Sequence, residues 1–322
     1  MGWLLGIGLL LVGIMLIVGV FVIGGKGSKT RSNPVKEVRQ LSDVLLSDTV
    51  ELVPELEKHI REGNFRAVDQ VVDKMESYES EKQEIIRQHL REAGVIERYK
   101  TDLTDIDYKI RTAGAERLGK VGGEEVPELL FGAMADKNEE VRLAATQALK
   151  NLKEPAISGL LVGALKEPYK WLPARVAEVL ISLGKAGVPA LQEALSESDP
   201  TYRGYVIEIL GEIGDPSSAE ALHPALEDTN GNIRLQAARA LGKIGYNGSA
   251  GLLVELLQDR EIKVKVQAIR SLGKIGDPQA APHLAELLTH SDAVVRYAAL
   301  EALRNMGREG LEFIAKVNIT YQ

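Results

Sequence analysis

Apolar residues recur at helical spacing along most of this chain, and from residue 104 onward the pattern itself recurs. Between Asn232 and Gly245 the positions Ile233, Ala237, Leu241 and Ile244 form one apolar stripe closed by a glycine, the mark of an amphipathic helix and its stop. The helix that follows carries paired apolars instead, Leu252, Leu253, Leu256 and Leu257, which can face two neighbours at once. Leu-Gly-Lys-Ile-Gly stands at 241–245 and again at 272–276. Its leucine returns at Leu118, Leu149, Leu183, Leu210, Leu241, Leu272 and Leu303, with spacings of 31, 34, 27, 31, 31 and 31 residues. A fixed period of about 20 to 50 residues marks units that bury their apolar faces only against one another. The pattern therefore predicts about seven stacked helical hairpins over residues 104–322. Asp215-Pro216 and Asp277-Pro278 open first helices, an N-cap oxygen followed by proline in the first turn.

Upstream the pattern predicts a helical neck or capping domain over residues 35–103. Apolar positions keep helical spacing through Val38, Leu41, Val44 and Leu45, and again through Val50, Leu52, Val53, Leu56 and Ile60, until Gly63-Asn64 breaks the run. A third helix is predicted from Phe65 to Tyr78 and a fourth from Ser80 to Ala93, with Gly94 as its stop. No strict heptad persists to make this a coiled-coil stalk. Residues 3–24 are different in kind: Trp3 to Gly24 contain no charged side chain, enough for one helix to cross a bilayer core. No basic residue precedes that segment, whereas Lys26, Lys29, Arg31, Lys36 and Arg39 follow it. The expectation is an uncleaved anchor over 1–25 with the N-terminus outside and the body in the cytoplasm. A flexible basic linker over 26–34 would connect it to the neck.

A second regularity lies between the paired helices. An acid stands six residues before a base in Asp105/Arg111, Asp136/Arg142, Glu197/Arg203, Asp228/Arg234 and Asp259/Lys265. Such a carboxylate can accept from free backbone N–H groups and from the guanidinium of a neighbouring unit. Because the pattern recurs at every level and converges on no single point, it reads as a structural ladder and not as acid–base chemistry.

These residues carry a resemblance. The 31-residue unit with its turn Asp, second-helix Arg, alanines and Leu-Gly-Lys-Ile-Gly resembles HEAT repeats, specifically the HEAT-like type of the phycobilisome lyases, over about 105–317. The resemblance implies an all-α, HEAT-like α-solenoid: a right-handed superhelix of helical hairpins, here behind a helical neck and one transmembrane helix. Proteins of this type act as adaptors, docking platforms, bilin lyases or, in one branch, a di-iron hydroxylase. The order of anchor, neck and repeats is similar to that of membrane-bound bacterial HEAT proteins taken to bind other proteins.

Composition narrows these classes. The chain carries a net charge of −7, so a nucleic-acid binder, which needs a net basic stripe, is not expected. It has no cysteine, which removes thiolate metal ligands and a cysteine nucleophile. His59, His89, His223, His283 and His290 are scattered and none is followed by an acid, so the paired His-Glu ligands of the hydroxylase branch are missing. Gly-Lys-Ile-Gly ends a helix and is no phosphate loop. No cofactor or metal is expected, and partners are expected to be other proteins, with the membrane met through residues 3–24. Two surfaces are candidates for docking. Aromatics make up only 5% of the chain, yet Tyr169 and Trp171 stand in the irregular third unit with Tyr202 and Tyr205 soon after. They read either as interface anchors or as filling for the inserted loop. Arg239, Lys243, Arg270 and Lys274 form a smaller basic ridge over two adjacent units, where acidic partner segments could sit. The rival readings are a bilin-lyase-like enzyme and a fixed structural subunit of a membrane complex.

Overall fold

The computed structural model describes residues 49–320, with side chains over 53–316. The expected anchor over 3–24, the linker and the first part of the neck lie outside the described residues. Among the described residues no helix is long and apolar enough to cross a membrane. Residues up to Ala67 and residues from Val68 onward belong to separate compact units. The first contains α1 (Thr49–Arg61), and α2 (Phe65–Asp73) begins in it.

The larger unit is helical throughout its described length. After α2 come α3 (Ser80–Glu92) and α4 (Val95–Asp102), then seven second helices: α5 (Tyr108–Val121), α7 (Glu139–Leu152), α9 (Pro173–Leu183), α11 (Pro200–Ile213), α13 (Gly231–Ile244), α15 (Ile262–Ile275) and α17 (Ala293–Asn305). Between them run the first helices α6 (Val126–Ala133), α8 (Ser158–Ala164), α10 (Val188–Ala194), α12 (Ala219–Leu222), α14 (Ala250–Glu255) and α16 (Ala281–Glu286), and α18 (Arg308–Thr320) ends the stack. Each second helix packs on the next, so they form one continuous layer of the solenoid.

The Leu-Gly-Lys-Ile-Gly signature explains that layer residue by residue. Leu241 and Leu272 are fully buried in the core. The first glycine lets two helices touch: a Cβ on Gly273 would sit 2.7 Å from the Cα of Ala302 on the next second helix, and one on Gly211 would sit 2.8 Å from that of Ala240. The second glycine, Gly245 or Gly276, adopts the left-handed conformation at φ +72° or +74° and its N–H closes the helix on the leucine carbonyl. The Asp-Pro openings hold, since Asp215 and Asp277 accept from the N–H groups of Ser217 and Gln279, each at 2.9 Å. What they open is a 3₁₀ turn before the α-helix, and α12, α14 and α16 are followed by another. From α12 on, the first helices are therefore short α segments between tighter turns. The third predicted neck helix likewise ends at Asp73 and continues as a 3₁₀ turn, Met75–Ser77.

The neck and the repeats are continuous from Val68 on. Asp69 accepts from Arg98 at 2.7 Å and from the Tyr99 hydroxyl at 3.0 Å, and Asp73 accepts from Arg117 of α5 at 3.0 Å. Burial and the adjacent Asp69 carboxylate push the Tyr99 phenol well above its usual range.

Candidate protein-docking face

The turn acids and second-helix arginines meet as a ladder with a definite direction. Arg111 donates through Nε and Nη2 to both carboxylate oxygens of Asp136 at 2.8 and 2.9 Å, and through Nη1 to the carbonyl of Asp105 at 2.8 Å. Arg234 repeats this with Asp259 at 2.7 and 3.0 Å and the carbonyl of Asp228 at 2.8 Å. Arg203 reaches Asp228 at 2.7 Å and the carbonyl of Glu197 at 2.8 Å. Each guanidinium thus closes its own turn and grips the next unit. The carboxylates also accept backbone N–H groups two residues on, Asp105 from Asp107 and Asp136 from Asn138, both at 2.7 Å. Those second residues, not the turn acids, cap the helices: Asp107, Asn138, Asp199, Asn230 and Asp292 each accept from an N–H in the first turn.

Three breaks interrupt the ladder. Arg142 closes its own turn on the carbonyl of Asp136 at 2.7 Å but pairs sideways with Glu139, which it shares with Arg175. In α9 the buried Val176 stands seven residues before Leu183, where the other second helices carry Arg or Lys, so Glu197 receives no guanidinium from below and pairs with Lys166. Higher up, Lys265 forms no ion pair among the described residues, and the residue in the facing turn is His290, whose Nδ1 accepts the N–H of Asp292 at 3.0 Å.

The four aromatic candidates do not form one surface. Trp171 is 6% exposed and stacks on Phe131 of α6 with ring centroids 4.3 Å apart. Tyr202 is 3% exposed, with the Lys166 ammonium 5.3 Å from its ring centre, and burial raises its phenol above the usual range. Tyr205 is half-buried and Tyr169 fully exposed. Trp171 and Tyr202 fill the irregular unit from within; Tyr169, beside the exposed Leu172, is left as a projecting contact. Phe131, the partner that turns Trp171 inward, stands at the repeat position of Val162 and Val254, which marks it as apolar but not as a ring partner.

The second-helix face offers two further surfaces. A groove of about 1110 Å³ is lined by α3, α5 and α7. Most of its cations are engaged: Arg87 donates to the carbonyl of Lys120 at 2.9 Å, Lys120 to that of Asp73 at 2.8 Å, Arg91 pairs with Glu84 at 2.7 Å, and Lys150 pairs with Glu178 of α9 at 3.3 Å. The Arg91 hydrogen bond holds Glu84 below the usual carboxylate range. On α13 and α15 the structure brings Arg239, Lys243, Arg270 and Lys274 together as an exposed ridge. Lys243 pairs with Glu212, whereas Arg239, Arg270 and Lys274 have no hydrogen-bond or ion-pair partner among the described residues. Also among the described residues, no group of three or more His, Asp and Glu side chains is placed to hold a metal ion.

Stacked helical hairpins with a continuous second-helix layer and a repeating inter-unit ladder define an α-solenoid of the kind that serves as a scaffold for protein binding. The HEAT-repeat family matches residues 101–181, 188–261 and 250–313, and the chain belongs to that family. No curated protein matches the chain. Among solved structures it is similar to an engineered protein at 20% identity, over 84% of this chain and 88% of that one, with a TM-score of 0.38. It is also similar to a designed armadillo repeat protein at 18% identity (65% and 99% covered, TM-score 0.35), and to human deoxyhypusine hydroxylase in complex with glycerol at 18% identity (78% and 99% covered, TM-score 0.34). Similarities this distant carry no argument about activity.

Proposed function

We propose that this protein is a non-catalytic scaffold, held at the cytoplasmic face of a membrane by residues 3–24, that binds partner proteins along its second-helix face. The observation that carries the reading is the use made of its charged side chains. The buried ones, Arg111 and Arg234, are consumed in joining one unit to the next, while Arg239, Arg270 and Lys274, without a partner among the described residues, stand outward on adjacent second helices. A ladder spread over the stack rigidifies a surface; it assembles no reacting centre. The apolar segment at 3–24 and the basic residues after it support the membrane attachment and its sense. Confinement to the membrane plane raises the effective concentration of the scaffold toward membrane-bound partners.

The test is fractionation of the native membrane with the full chain and with a chain lacking residues 1–25. The full chain is expected to resist salt extraction, to need detergent for release, and to leave the membrane in complex with a protein partner, while the shortened chain is expected in the soluble fraction. A full chain released by salt alone, or a purified chain with turnover abolished by one point substitution, contradicts the proposal.

A further inference from the structure

We infer that the partner segment received by α13 and α15 is a short, extended, acidic stretch of polypeptide, an inference that rests on the scaffold reading above. Arg239 and Arg270 are 31 residues apart, as are Lys243 and Lys274, so the four cations form two rows across adjacent helices in repeat register. All four are exposed, and a single carboxylate, that of Glu212, neutralises one of them. Lysines in the last turn of a helix complement its dipole, which accounts for Lys243 and Lys274 without any ligand. The arginines one turn earlier have no such reason. On a chain of net charge −7, Arg239 and Arg270 have no ion-pair partner among the described residues and form a short cationic step between Glu208 and Glu301, a complement for a short anionic segment and not for a long polyanion.

The neighbouring positions point to polypeptide among anions. Gln236 and Gln267, also 31 apart, stand half-buried one turn toward the N-termini of the same helices. A primary amide can bond both the N–H and the C=O of an extended backbone. Packed helices lie about 8–10 Å apart, which a chain extended in the polyproline II conformation covers in about three residues, one turn that brings the side chain back to the same face. Acidic residues about three positions apart would therefore meet one row of cations while the backbone crosses the glutamines. Glu208 and Glu212 border the ridge on α11, and Glu301 borders it on α17. These carboxylates repel a polyanion that continues past the two helices, which disfavours nucleic acid and a flat anionic membrane.

The test uses the full chain in nanodiscs of zwitterionic lipid and a fluorescent Glu/Asp-rich peptide of about ten residues, with fluorescence anisotropy as readout. A Lys-rich peptide, single-stranded RNA and anionic vesicles serve as comparison ligands. The acidic peptide is expected to bind saturably and less tightly as salt rises. R239E/R270E is expected to weaken it at least about tenfold with unchanged helical circular dichroism, and the single exchange K274E, safe for folding at an exposed site, to weaken it by a smaller factor. No binding to the unaltered chain, equal binding to both variants, or tighter binding of RNA or vesicles through the same side chains overturns the inference. If the acidic peptide fails while a native partner still co-purifies with R239E/R270E, the scaffold reading stands and this inference falls; if no partner co-purifies with the unaltered chain, the scaffold reading itself falls.

Discussion

Arg234 donates to the carbonyl of Asp228 in its own turn and to both carboxylate oxygens of Asp259 in the next, and its side chain is only 8% exposed, as is that of Asp259. Removing the guanidinium strands a carboxylate with little solvent to replace it, so R234A is expected to lower stability by about 2 kcal/mol, read as a fall in the denaturant midpoint. R234K should recover little of this, because an ammonium cannot reproduce the two-pronged fork. Truncating the exposed Lys243 to alanine should change stability by less than about 0.5 kcal/mol. The pH response has a defined sign. The Arg234 hydrogen bond, opposed by burial, holds Asp259 below the usual carboxylate range; burial pushes Asp136 up, and Arg111 with the Asn138 N–H outweighs it. With folded pKa values below the unfolded one of about 4, the ladder's contribution is complete above about pH 4 and is lost as pH falls through the folded values. The denaturant midpoint should drop with acidification in that window, and D259N should flatten the drop. At this scale the six-residue spacing from acid to base made the ladder legible, because both partners belong to one turn. A neighbouring unit's guanidinium was expected at the turn carboxylate, but which neighbour, and the forward reach of 25 residues from Arg234 to Asp259, was not legible, since it depends on how units stack. The caps at Asp107 and Asn138 were missed, although an Asp or Asn two residues beyond four of the five turn acids was their signal; Asp259 is followed by Glu261, which makes no cap.

Among the elements, α9 departs most from its neighbours. It has 11 residues where α7 and α11 have 14. Its core-facing Val176 replaces the ladder arginine, and α7 carries Lys150 where α5 has the close-contact glycine Gly119. The loop ahead of α9 compensates by folding Trp171 against Phe131. Truncating a buried aromatic removes its packing and leaves a cavity, so W171A is expected to cost about 3–5 kcal/mol. Y169A should stay within about 0.5 kcal/mol. Thermal or denaturant unfolding of the two variants separates them, and equal costs would contradict the packing described. The irregularity was visible in the sequence as spacings of 34 and 27, and the pair of outcomes, docking or filling, followed from it. Which ring turned inward depended on Phe131, forty residues earlier, at a repeat position filled by Val162 and Val254 in other units and therefore with no sign of a ring contact. The 3₁₀ turns flanking the first helices were illegible for a related reason: Leu252 to Leu257 read as one helical run, and only their packing against two neighbours tightens the end of it.

Across the whole molecule, the repeat period, the hairpin and the continuous layer of second helices were readable before any contact was known, because each unit buries its apolar face against a copy of itself. The surface was less readable, since periodicity gives the same weight to a cation consumed by a neighbour, such as Lys150, as to one left outward, such as Arg270. The account's central claim is that partners are held on that second-helix face. Photo-crosslinking residues placed singly at Gln236 and Gln267, and for comparison at the exposed Gln258 and Gln279 outside the second helices, test it in the native membrane. The account predicts discrete protein adducts from Gln236 and Gln267 and none from the comparison sites; adducts from the comparison sites alone, or none from any site, would contradict it.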